Sequence, residues 1–549
     1  MTPFEISDSF VEGLFELSPL VKTQFGIPGS NHLWDDFSME GHSRLIELAR
    51  ETTDLLADHR DHEDRDQARA ARVLHASLGE MLDRDAHDDH LRDLNHIYSP
   101  LQQLRDIFDI APKETAGDWS DRSARLETIG EPLAGYRERL VAGIADGLVT
   151  AQRQVDSVIE QARALIGEDS QWNRFPEEAD RVGADVAEVT KAVAVAKGEV
   201  ALFTDWLEAE YMPHAAAEDG VGIERYLRSA EQFIGERIDP EETYEWGWTE
   251  VHRLLSAMEA VAASIDPDKT VSEVIDDLET DPARSAPDLD SFVAFVQQRL
   301  DQAVVELDGT HFDVPDEIKR VTVNIAPPGG ALGAWYISPS EDFSRPGSVW
   351  YSFGELTVKS LWQEVSTAYH EGFPGHHLQV GTAMCQGERL SRAHRLLIWY
   401  PGYGEGWALY TERLMEELGY FERPEYLLGM LSMQMLRAVR VVVDIGCHLG
   451  LKIPDDAPLY PGEPWDYHRA VDYVHQLARN PTEVAVSEVK RYLGWPGQAI
   501  SYKVGERAIL DIREKAQRSP GFDLKDFHRR MLDGGARRLD QLREEMLDN

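Results

Sequence analysis

The chain has 549 residues, of which 99 are acidic and 55 are basic, so its formal charge is −44. A protein this negative repels nucleic-acid phosphates and anionic membranes, and we expect neither as a partner. The hydrophobic fraction of 42% suffices for a large core, whereas two cysteines, Cys385 and Cys447, are too few for a disulfide framework or a cysteine-ligated zinc site.

The N-terminal segment argues against export and membrane insertion. MTPFEISDSFVEGLFEL carries acidic residues where a signal peptide needs basic ones, and no long apolar run follows it. No stretch approaches 18 consecutive apolar residues, so we expect no membrane-spanning helix. These features predict a cytoplasmic protein.

Helical patterning dominates the first three hundred residues. Residues 66–98 and 136–166 carry apolar side chains at helical spacing with charges between them, and the second segment has one long amphipathic pattern. Breaks between helices are predicted where Gly, Pro, Asp and Ser cluster, at residues 111–121, 167–180, 236–242 and 281–288.

A short β-rich segment begins near residue 320. β-branched and polar residues alternate over 321–325, which is the period of a strand, and residues 335–337 and 349–351 are two further aromatic and β-branched runs. Residues 338–348 read as the loop between them. Helical patterning then returns and continues to the C-terminus.

The predicted fold class is therefore mainly α. A predominantly helical region over residues 1–317 precedes a core over residues 318–549, which holds the small sheet, the helix with the histidine motif and the C-terminal helices. We expect the two regions to form one continuous body.

Three histidines and a glutamate cluster in HEGFPGHH, residues 370–377. In the zinc-hydrolase motif His-Glu-x-x-His the two ligands lie at i and i+4 on one helix face, but here Pro374 occupies i+4. On an unbroken helix His376, at i+6, would point about 240° around the axis, and His377, at i+7, would lie roughly 10 Å further along it. Neither could share a zinc ion with His370, because each zinc–nitrogen bond is about 2 Å long.

The sequence predicts that this helix is interrupted. Pro374 lacks an N–H group and its ring clashes with the carbonyl of His370, while glycines on either side of it permit unusual dihedral angles. A bulge of two extra residues would bring His376 to the position of the usual second ligand, and His377 would point further round, toward a supporting or substrate-binding role. The alternative is three ordinary polar histidines on a helix surface.

A third metal ligand is offered by PGYGEGWALYTERL, residues 401–414. Glu405 precedes a helical run, so it could lie in the first turn and face a metal, or it could be a carboxylate favoured by the helix N-terminus. Glu412 lies two turns further on the same face. It is a candidate for supporting the ligands, or else an exposed helix glutamate.

Several motifs resemble the bacterial family known as domain of unknown function 885. The resemblance covers mainly residues 320–515, and its motifs occur in the family's order. They are RPGSVWY (345–351), HEGFPGHHLQ (370–379), EGWALYTERL (405–414), RVVVDIGCHLG (440–450) and WPGQAISYKVG (495–505).

That family looks like a divergent relative of the gluzincin metallopeptidases, with a gluzincin-like α+β catalytic core. GHHL is similar to the Gly-His-x-Leu that ends many of their motifs, and EGWALYTE to the Glu-Gly-Phe-Ala of aminopeptidase N relatives; dipeptidyl peptidase III keeps its metal with an expanded motif. The resemblance implies one Zn²⁺ per chain on His370, His376 and Glu405, with Glu371 as general base. The expansion at Pro374 departs from the gluzincin pattern, so His377 is the alternative second ligand.

Further candidates come from the remaining motifs. Tyr502 is the predicted donor to the oxyanion, since related peptidases use a tyrosine downstream of the glutamate; otherwise it is a packed helix residue. The predicted sheet would offer an edge strand to a peptide backbone, with Tyr336 and Tyr351 lining it or packed in the core. Asp444 and His448, at helical i, i+4 spacing, are a candidate hydrogen-bonded pair or a donor to the intermediate.

One of four cations could hold a substrate carboxylate, which would imply action at the C-terminus of a peptide. Each could equally be a structural ion-pair partner. The four are Arg437, Arg440, Arg491 and Lys503.

These features predict a zinc-dependent hydrolase of peptide or related amide bonds, acting on short peptides or small amides by analogy with helical gluzincins. One alternative keeps the metal and predicts a hydrolase or lyase of a small non-peptide metabolite. The other is a metal-free helical binding protein with the relic of a site.

Overall fold

A computed structural model describes residues 1–326, 333–340, 342–354 and 359–547. It divides into two compact units. The first comprises Met1–Gly220 with Leu493–Trp495, and the second comprises Val221–Tyr492 with Pro496–Asn549. The boundary expected at residues 317/318 falls inside the second unit. The predicted mainly α fold with a small sheet is confirmed.

The first unit is helical, and residues 1–220, all of which are described, contain ten α-helices. These are α1 (Pro3–Leu17), α2 (Pro19–Gln24), α3 (Met39–Leu56), α4 (Arg65–Ala86), α5 (Pro100–Ile110), α6 (Ala116–Glu127), α7 (Gly130–Asp146), α8 (Gln152–Ile166), α9 (Phe175–Arg181) and α10 (Val186–Trp206).

The long amphipathic pattern over residues 136–166 corresponds to two helices, α7 and α8. Helix α7 ends at Asp146 and Gly147 caps it with a left-handed φ of 71°, donating its backbone N–H to Gly143 and Ile144 carbonyls. Glycine adopts this conformation without the steric cost of a Cβ atom and is the usual residue there. The apolar period continues into α8 on the other side of the turn, which is why the sequence reads as one helix.

The second unit holds the remaining helices and all five strands of the described chain. Its helices are α11 (Ile223–Ile234), α12 (Pro240–Ile265), α13 (Val271–Thr280), α14 (Leu289–Leu307), α15 (Glu364–Glu371), α16 (His376–Cys385), α17 (Arg392–Leu396), α18 (Pro401–Glu417), α19 (Pro424–Leu449), α20 (Tyr467–Asp472), α21 (Thr482–Gly494), α22 (Ser501–Gln517), α23 (Leu524–Asp533) and α24 (Leu539–Leu547). Its strands are β1 (Ser285–Ala286), β2 (Val321–Ile325), β3 (Gly333–Ile337), β4 (Gly347–Ser352) and β5 (Lys359–Ser360).

The three strands expected from the sequence form one sheet in the order β2-β4-β3. Strand β4 pairs parallel with β2 and antiparallel with β3, where Trp335 lies opposite Trp350. One face of this sheet packs on α14 through a cluster that includes Phe292, Leu300 and Tyr351. In the described part of the chain β3 has no second strand partner, so it presents the expected free edge.

Helix α19 has the length and apolar composition of a candidate membrane span. It is the one such helix among the described residues, and 89% of its apolar window is buried inside the protein. A helix at the centre of a protein core passes the same test, so the match is weak evidence for a span. Arg437, Arg440 and Asp444, all buried, lie on this helix.

Helices α18 and α22 approach each other at glycines. A Cβ atom added to Gly406 would lie 2.5 Å from the carbonyl carbon of Gly505, and one added to Gly505 would lie 2.0 Å from the carbonyl oxygen of Gly402. Backbone atoms at such distances cannot move aside without shifting a whole helix. The close packing therefore requires glycine at these positions, next to the predicted ligand Glu405.

We expect Gly406→Ala to destabilise the protein by about 1–3 kcal/mol, because the added methyl group overpacks the α18–α22 contact. Thermal unfolding followed by circular dichroism would show a lower midpoint than wild type. The matched control is Gly198→Ala in α10, where a Cβ atom meets nothing within 4 Å. Alanine is the better helix former by about 1 kcal/mol, so this control should unfold no earlier than wild type. An unchanged midpoint for Gly406→Ala would contradict the packing argument.

Candidate metal centre

The helix that carries the histidine motif is interrupted between α15, which ends at Glu371, and α16, which begins at His376. Within the interruption the hydrogen bonds span more residues than in an α-helix. The Gly375 amide donates to the Tyr369 carbonyl, six residues back, at 3.0 Å, and the His377 amide to the Gly372 carbonyl, five back, at 3.1 Å. The regular helix that would have separated the two predicted ligands is therefore not formed.

Glycine is required inside this interruption. A Cβ atom at Gly375 would lie 1.9 Å from the His370 carbonyl oxygen, and one at Gly372 would lie 2.6 Å from the Ala368 carbonyl oxygen. The carbonyl of Pro374 accepts a hydrogen bond of 3.0 Å from the indole Nε1 of Trp407 on α18. The turn is thus held by its own backbone and by a neighbouring helix.

The interruption brings the three predicted ligands together. The Nε2 atoms of His370 and His376 lie 3.3 and 3.4 Å from one carboxylate oxygen of Glu405, and the three ligand atoms all lie within 4.8 Å of one another. In a tetrahedral zinc site with bonds of about 2.1 Å, ligand atoms are separated by about 3.4 Å. Two imidazoles and one carboxylate also leave the fourth position of such a site open, so the donor set fits a catalytic zinc ion.

Glu412 supports the first histidine from behind. Its Oε1 accepts a hydrogen bond of 2.8 Å from Nδ1 of His370, and its Oε2 accepts one of 2.8 Å from the Ser366 hydroxyl and one of 3.5 Å from Gln434. In the neutral form of His370, with Nδ1 donating to Glu412, the lone pair on Nε2 would be directed to a metal ion next to Glu405. A carboxylate in this position fixes the tautomer and orientation of a metal-bound histidine.

The electrostatics of the cluster suit a cation. Burial lowers the pKa of His370, but hydrogen bonds to Glu405 and Glu412 outweigh it and raise the pKa to about 9. Burial raises the pKa of Glu405, yet His370 and His376 hold that pKa far below its ordinary value. In the metal-free protein a proton on His370 therefore offsets the buried carboxylates, and a bound metal ion would take its place.

Glu371 lies beside the cluster and lines the same pocket. Burial raises the pKa of its carboxyl group, His370 and His376 lower it, and the charge of Glu405 raises it again, so that the pKa lies above the ordinary value. A carboxylate whose pKa is moved toward neutrality is a better general base. Sequence reasoning assigned Glu371 this role.

The cluster lies at a pocket of about 510 Å³ within the second unit. Eight of the residues singled out from the sequence line it, from helices α15, α16, α18, α19 and α22 and from strand β3. They are Tyr336, His370, Glu371, His376, Glu405, Arg437, Arg440 and Tyr502. Burial raises the pKa of Tyr502, the charge of Glu405 adds to the increase, and the guanidinium of Arg440 lies 4.6 Å from the centre of its ring.

His377, the alternative ligand, points away from the cluster. Its Nε2 donates to the Ile318 carbonyl at 2.7 Å and its Nδ1 accepts from the Tyr336 hydroxyl at 3.1 Å. The contact depends on Gly347 of β4, where a Cβ atom would lie 2.3 Å from the Tyr336 hydroxyl and 2.7 Å from Nδ1 of His377. His377 therefore joins α16 to the edge strand β3, and in this structure it is no ligand.

Five other predicted residues lie outside the pocket lining. Tyr351 is fully buried against Phe292, and the other four have partners of their own in the second unit. Asp444 accepts from the Tyr226 hydroxyl at 2.7 Å and the Gly497 amide at 2.9 Å, and His448 donates to the Tyr492 carbonyl at 3.1 Å. Arg491 forms an ion pair with half-buried Glu488, and Lys503 with half-buried Glu250 and buried Glu506, as the structural interpretation of these cations expects.

Two tryptophans of the pocket were not among the candidates. Trp335 on β3 and Trp399, just before α18, are 37% and 43% exposed, and Trp399 lies against the His376 ring. A Cβ atom at Gly404 would lie 2.3 Å from the Trp399 ring, so that glycine makes room for it. The sequence could have indicated Trp399, because it is an aromatic residue shortly before the predicted ligand Glu405.

A second group of metal-binding residue types lies in the first unit. Nε2 of His42 is 3.0 Å from Asp85, and His90 belongs to the same group. The rings of His42 and His90 are stacked, with centres 3.8 Å apart and planes 16° apart. Their in-plane lone pairs run nearly parallel and do not converge on one point about 2 Å from each, so the geometry does not fit a shared metal ion.

Two solved structures share the fold of this chain. A crystal structure described as a "putative lipoprotein from Colwellia psychrerythraea" matches with a TM-score of 0.86 and 23% identity, covering 99% of this chain and 98% of its own. A "putative lipoprotein of unknown function" from Shewanella oneidensis matches with a TM-score of 0.76 and 18% identity, covering 100% of both chains.

These descriptions contradict the cytoplasmic location expected from the sequence, and that expectation is withdrawn. That expectation rested on the N-terminal residues, which lack the features of a signal peptide. Those residues gave no information about the location of proteins with the same fold. No curated protein matches the chain. The resemblance carried by the sequence motifs is confirmed, because a family model matches residues 19–546. The chain belongs to the family described as "Bacterial protein of unknown function (DUF885)".

Proposed function

We propose that this protein is a zinc-dependent hydrolase of peptide or related amide bonds in short substrates. The observation that carries the proposal is the separation of 3.3 and 3.4 Å between the nitrogens of two buried histidines and one oxygen of Glu405. It is supported by Glu412, which orients His370 as carboxylates orient zinc-bound histidines elsewhere.

Each chemical role has a residue in the pocket. A zinc ion held by His370, His376 and Glu405 would supply Lewis acidity toward water and a carbonyl group. Glu371 would accept the proton of the attacking water and pass it to the leaving amine. Tyr502 is protonated at neutral pH, as tyrosines ordinarily are, and its raised pKa keeps it so; its hydroxyl could donate a hydrogen bond to the oxyanion of the intermediate.

The donor set supports the proposed relationship to the gluzincins. Two histidines from an interrupted helix and a glutamate from a following helix are the ligand types of that class, and the glutamate after the first histidine is its base. Descriptions of the two similar structures as lipoproteins support, for this chain too, a location in the cell envelope.

The pocket favours a short peptide among the possible substrates. A volume of about 510 Å³ is that of a small-molecule site. The free edge of β3 borders the pocket and could pair with an extended peptide backbone, which a non-peptide metabolite would not need. The same donor set would serve a hydrolase or lyase of a small metabolite, and a metal-free binding protein would need no metal at all.

The metal set is tested by zinc content, measured by plasma mass spectrometry on purified chains incubated with zinc and then freed of excess metal. We expect about one zinc ion per wild-type chain and a large loss in His376→Ala. The adjacent variant His377→Ala is the matched control, because both nitrogens of His377 are used elsewhere, and it should retain its zinc. Loss in the control but not in His376→Ala would make His377 the ligand. No zinc in wild type would favour the metal-free binding protein.

The base is tested with Glu371→Gln, which keeps the size of the side chain and removes its proton acceptor. We expect hydrolysis of dipeptides, N-acyl amino acids or longer peptides to fall by about 10²- to 10⁴-fold in kcat. Zinc content should equal that of wild type, since Glu371 is not among the ligands. A fully active variant would contradict the assignment of Glu371 as the base. A wild-type protein that hydrolyses none of these amides would favour the alternative of a small-metabolite hydrolase or lyase.

The support from Glu412 is tested by zinc affinity, measured by competition with a chromophoric chelator. Glu412→Gln should weaken zinc binding by about 10- to 100-fold, because His370 loses the charged acceptor at Nδ1. The control is Glu364→Gln, a buried glutamate on α15 whose partner is Lys359, at 3.1 Å. The control should bind zinc as wild type does, and equal affinity in both variants would contradict the role of Glu412.

A further inference from the structure

Arg437 is a buried cation of the pocket that makes no ion pair within 4.0 Å in the described chain, although its charge lowers the pKa of nearby Glu371 and Glu412. Its residue is 6% exposed, and its Nη1 donates to the Met433 carbonyl at 3.0 Å. Its Nε has no hydrogen-bond partner, and no acidic oxygen of the described residues lies within 4.0 Å of the guanidinium. A buried charge without a partner is costly to a fold unless something else binds it.

The neighbouring cations are paired, which sets Arg437 apart. Arg440 donates to Glu488 from Nε at 3.0 Å and from Nη2 at 2.8 Å, and Arg491 donates to the same carboxylate at 2.9 Å. Lys503 lies 3.2 Å from Glu250 and is also bonded to Glu506. Of the four cations considered from the sequence, therefore, Arg437 has its charge available to a ligand.

The position of Arg437 fits a ligand that also reaches the metal cluster. It lines the pocket together with His370, Glu371 and Glu405, and its charge lowers the pKa of Glu371. Arg440 lies one turn further on the same face of α19, also lines the pocket, and has an Nη1 atom without a partner. Two guanidinium groups thus stand on one wall of a pocket in a protein whose net charge is −44.

We propose that Arg437 binds a free carboxylate of the substrate, so that the enzyme cleaves the amide bond next to a terminal carboxylate. A guanidinium group binds a carboxylate through two parallel hydrogen bonds, which makes it suited to this ligand. The substrate class is then dipeptides and short peptides or acylated amino acids with a free C-terminus. The half-exposed rings of Trp335 and Trp399 would lie against an apolar side chain of such a substrate.

The reaction rests on the proposed function. Water adds its oxygen to the acyl carbon, the carbon–nitrogen bond breaks, and the amine leaves with a proton that Glu371 has carried. The products are the shortened acyl or peptide chain, as a carboxylic acid, and a free amino acid. Arg437 takes no part in these steps and binds a group that is unchanged by them.

The test compares two ligands that differ only at the C-terminus, benzyloxycarbonyl-Gly-Phe as the free acid and as its amide. Their binding is measured by calorimetry on the full-length, zinc-loaded chain with Glu371→Gln, so that neither is consumed. We expect the acid to bind about 10- to 100-fold more tightly than the amide, which is the effect of a hydrogen-bonded charge pair. Adding Arg437→Gln should bring this ratio close to one.

Two further variants keep the test decisive. Arg513→Gln removes an arginine that is paired with Glu417 at 2.8 Å and does not line the pocket, and it should leave the ratio unchanged. If Arg437→Gln does not fold, Arg437→Lys keeps the charge without the planar fork and should lower the ratio several-fold. Equal binding of acid and amide before Arg437 is changed would overturn the proposal, as would a ratio that survives both changes at Arg437.

Hydrolysis by the wild-type chain separates this inference from the proposed function. If acid and amide are cleaved with equal kcat/KM, the hydrolase stands and the carboxylate site is wrong. If neither is cleaved but the acid binds through Arg437, the carboxylate site stands and the peptidase is wrong.

Discussion

The candidate site depends on one interruption of a helix. His370 and His376 are six residues apart, a spacing that places them on different sides of a regular helix. The turn between them, in which a Cβ atom at Gly375 would collide with the His370 carbonyl, shortens the path and brings both imidazoles to one carboxylate oxygen. Everything else in the pocket is arranged around this pair.

The surrounding helices stabilise the interruption rather than leaving it to the local sequence. Trp407 of α18 binds the carbonyl of Pro374, and the same helix brings Glu405 and Glu412 to the front and back of His370. Helix α18 is itself held against α22 by glycines, with Gly406 next to Glu405. The close packing of the two helix backbones thus fixes the position from which the Glu405 side chain reaches the histidines.

Local signals explain what could be predicted from the sequence. Pro374 with its two glycines marked the interruption, and the alternation over residues 321–325 marked a strand. The break between α7 and α8 was not predicted, although Gly147 is of the residue type that commonly ends helices, because the apolar period continues on both sides of it. Glu412 could be identified as a supporting residue, because it lies on the same helix face as Glu405. Its hydrogen-bond partner, His370, could not be identified from the sequence.

Partners distant in sequence explain what could not be predicted. Lys503 and Arg437 look alike in a sequence, because each is a cation within an apolar helix. Only the fold shows that Lys503 forms ion pairs with Glu250 and Glu506, whereas Arg437 forms no ion pair within 4.0 Å in the described chain. The cytoplasmic location was inferred from the N-terminal residues, and it is contradicted by the descriptions of two similar structures as putative lipoproteins.

The contact of His377 with Tyr336 has a consequence for how a substrate would be aligned. His377 is the neighbour of His376, and Tyr336 lies on β3, so a single hydrogen bond of 3.1 Å connects the start of α16 to the wall of the pocket. A peptide paired with β3 would lie on a strand whose distance from the histidine cluster is fixed by that hydrogen bond. The position of the scissile bond relative to the cluster would then depend on the contact between α16 and β3.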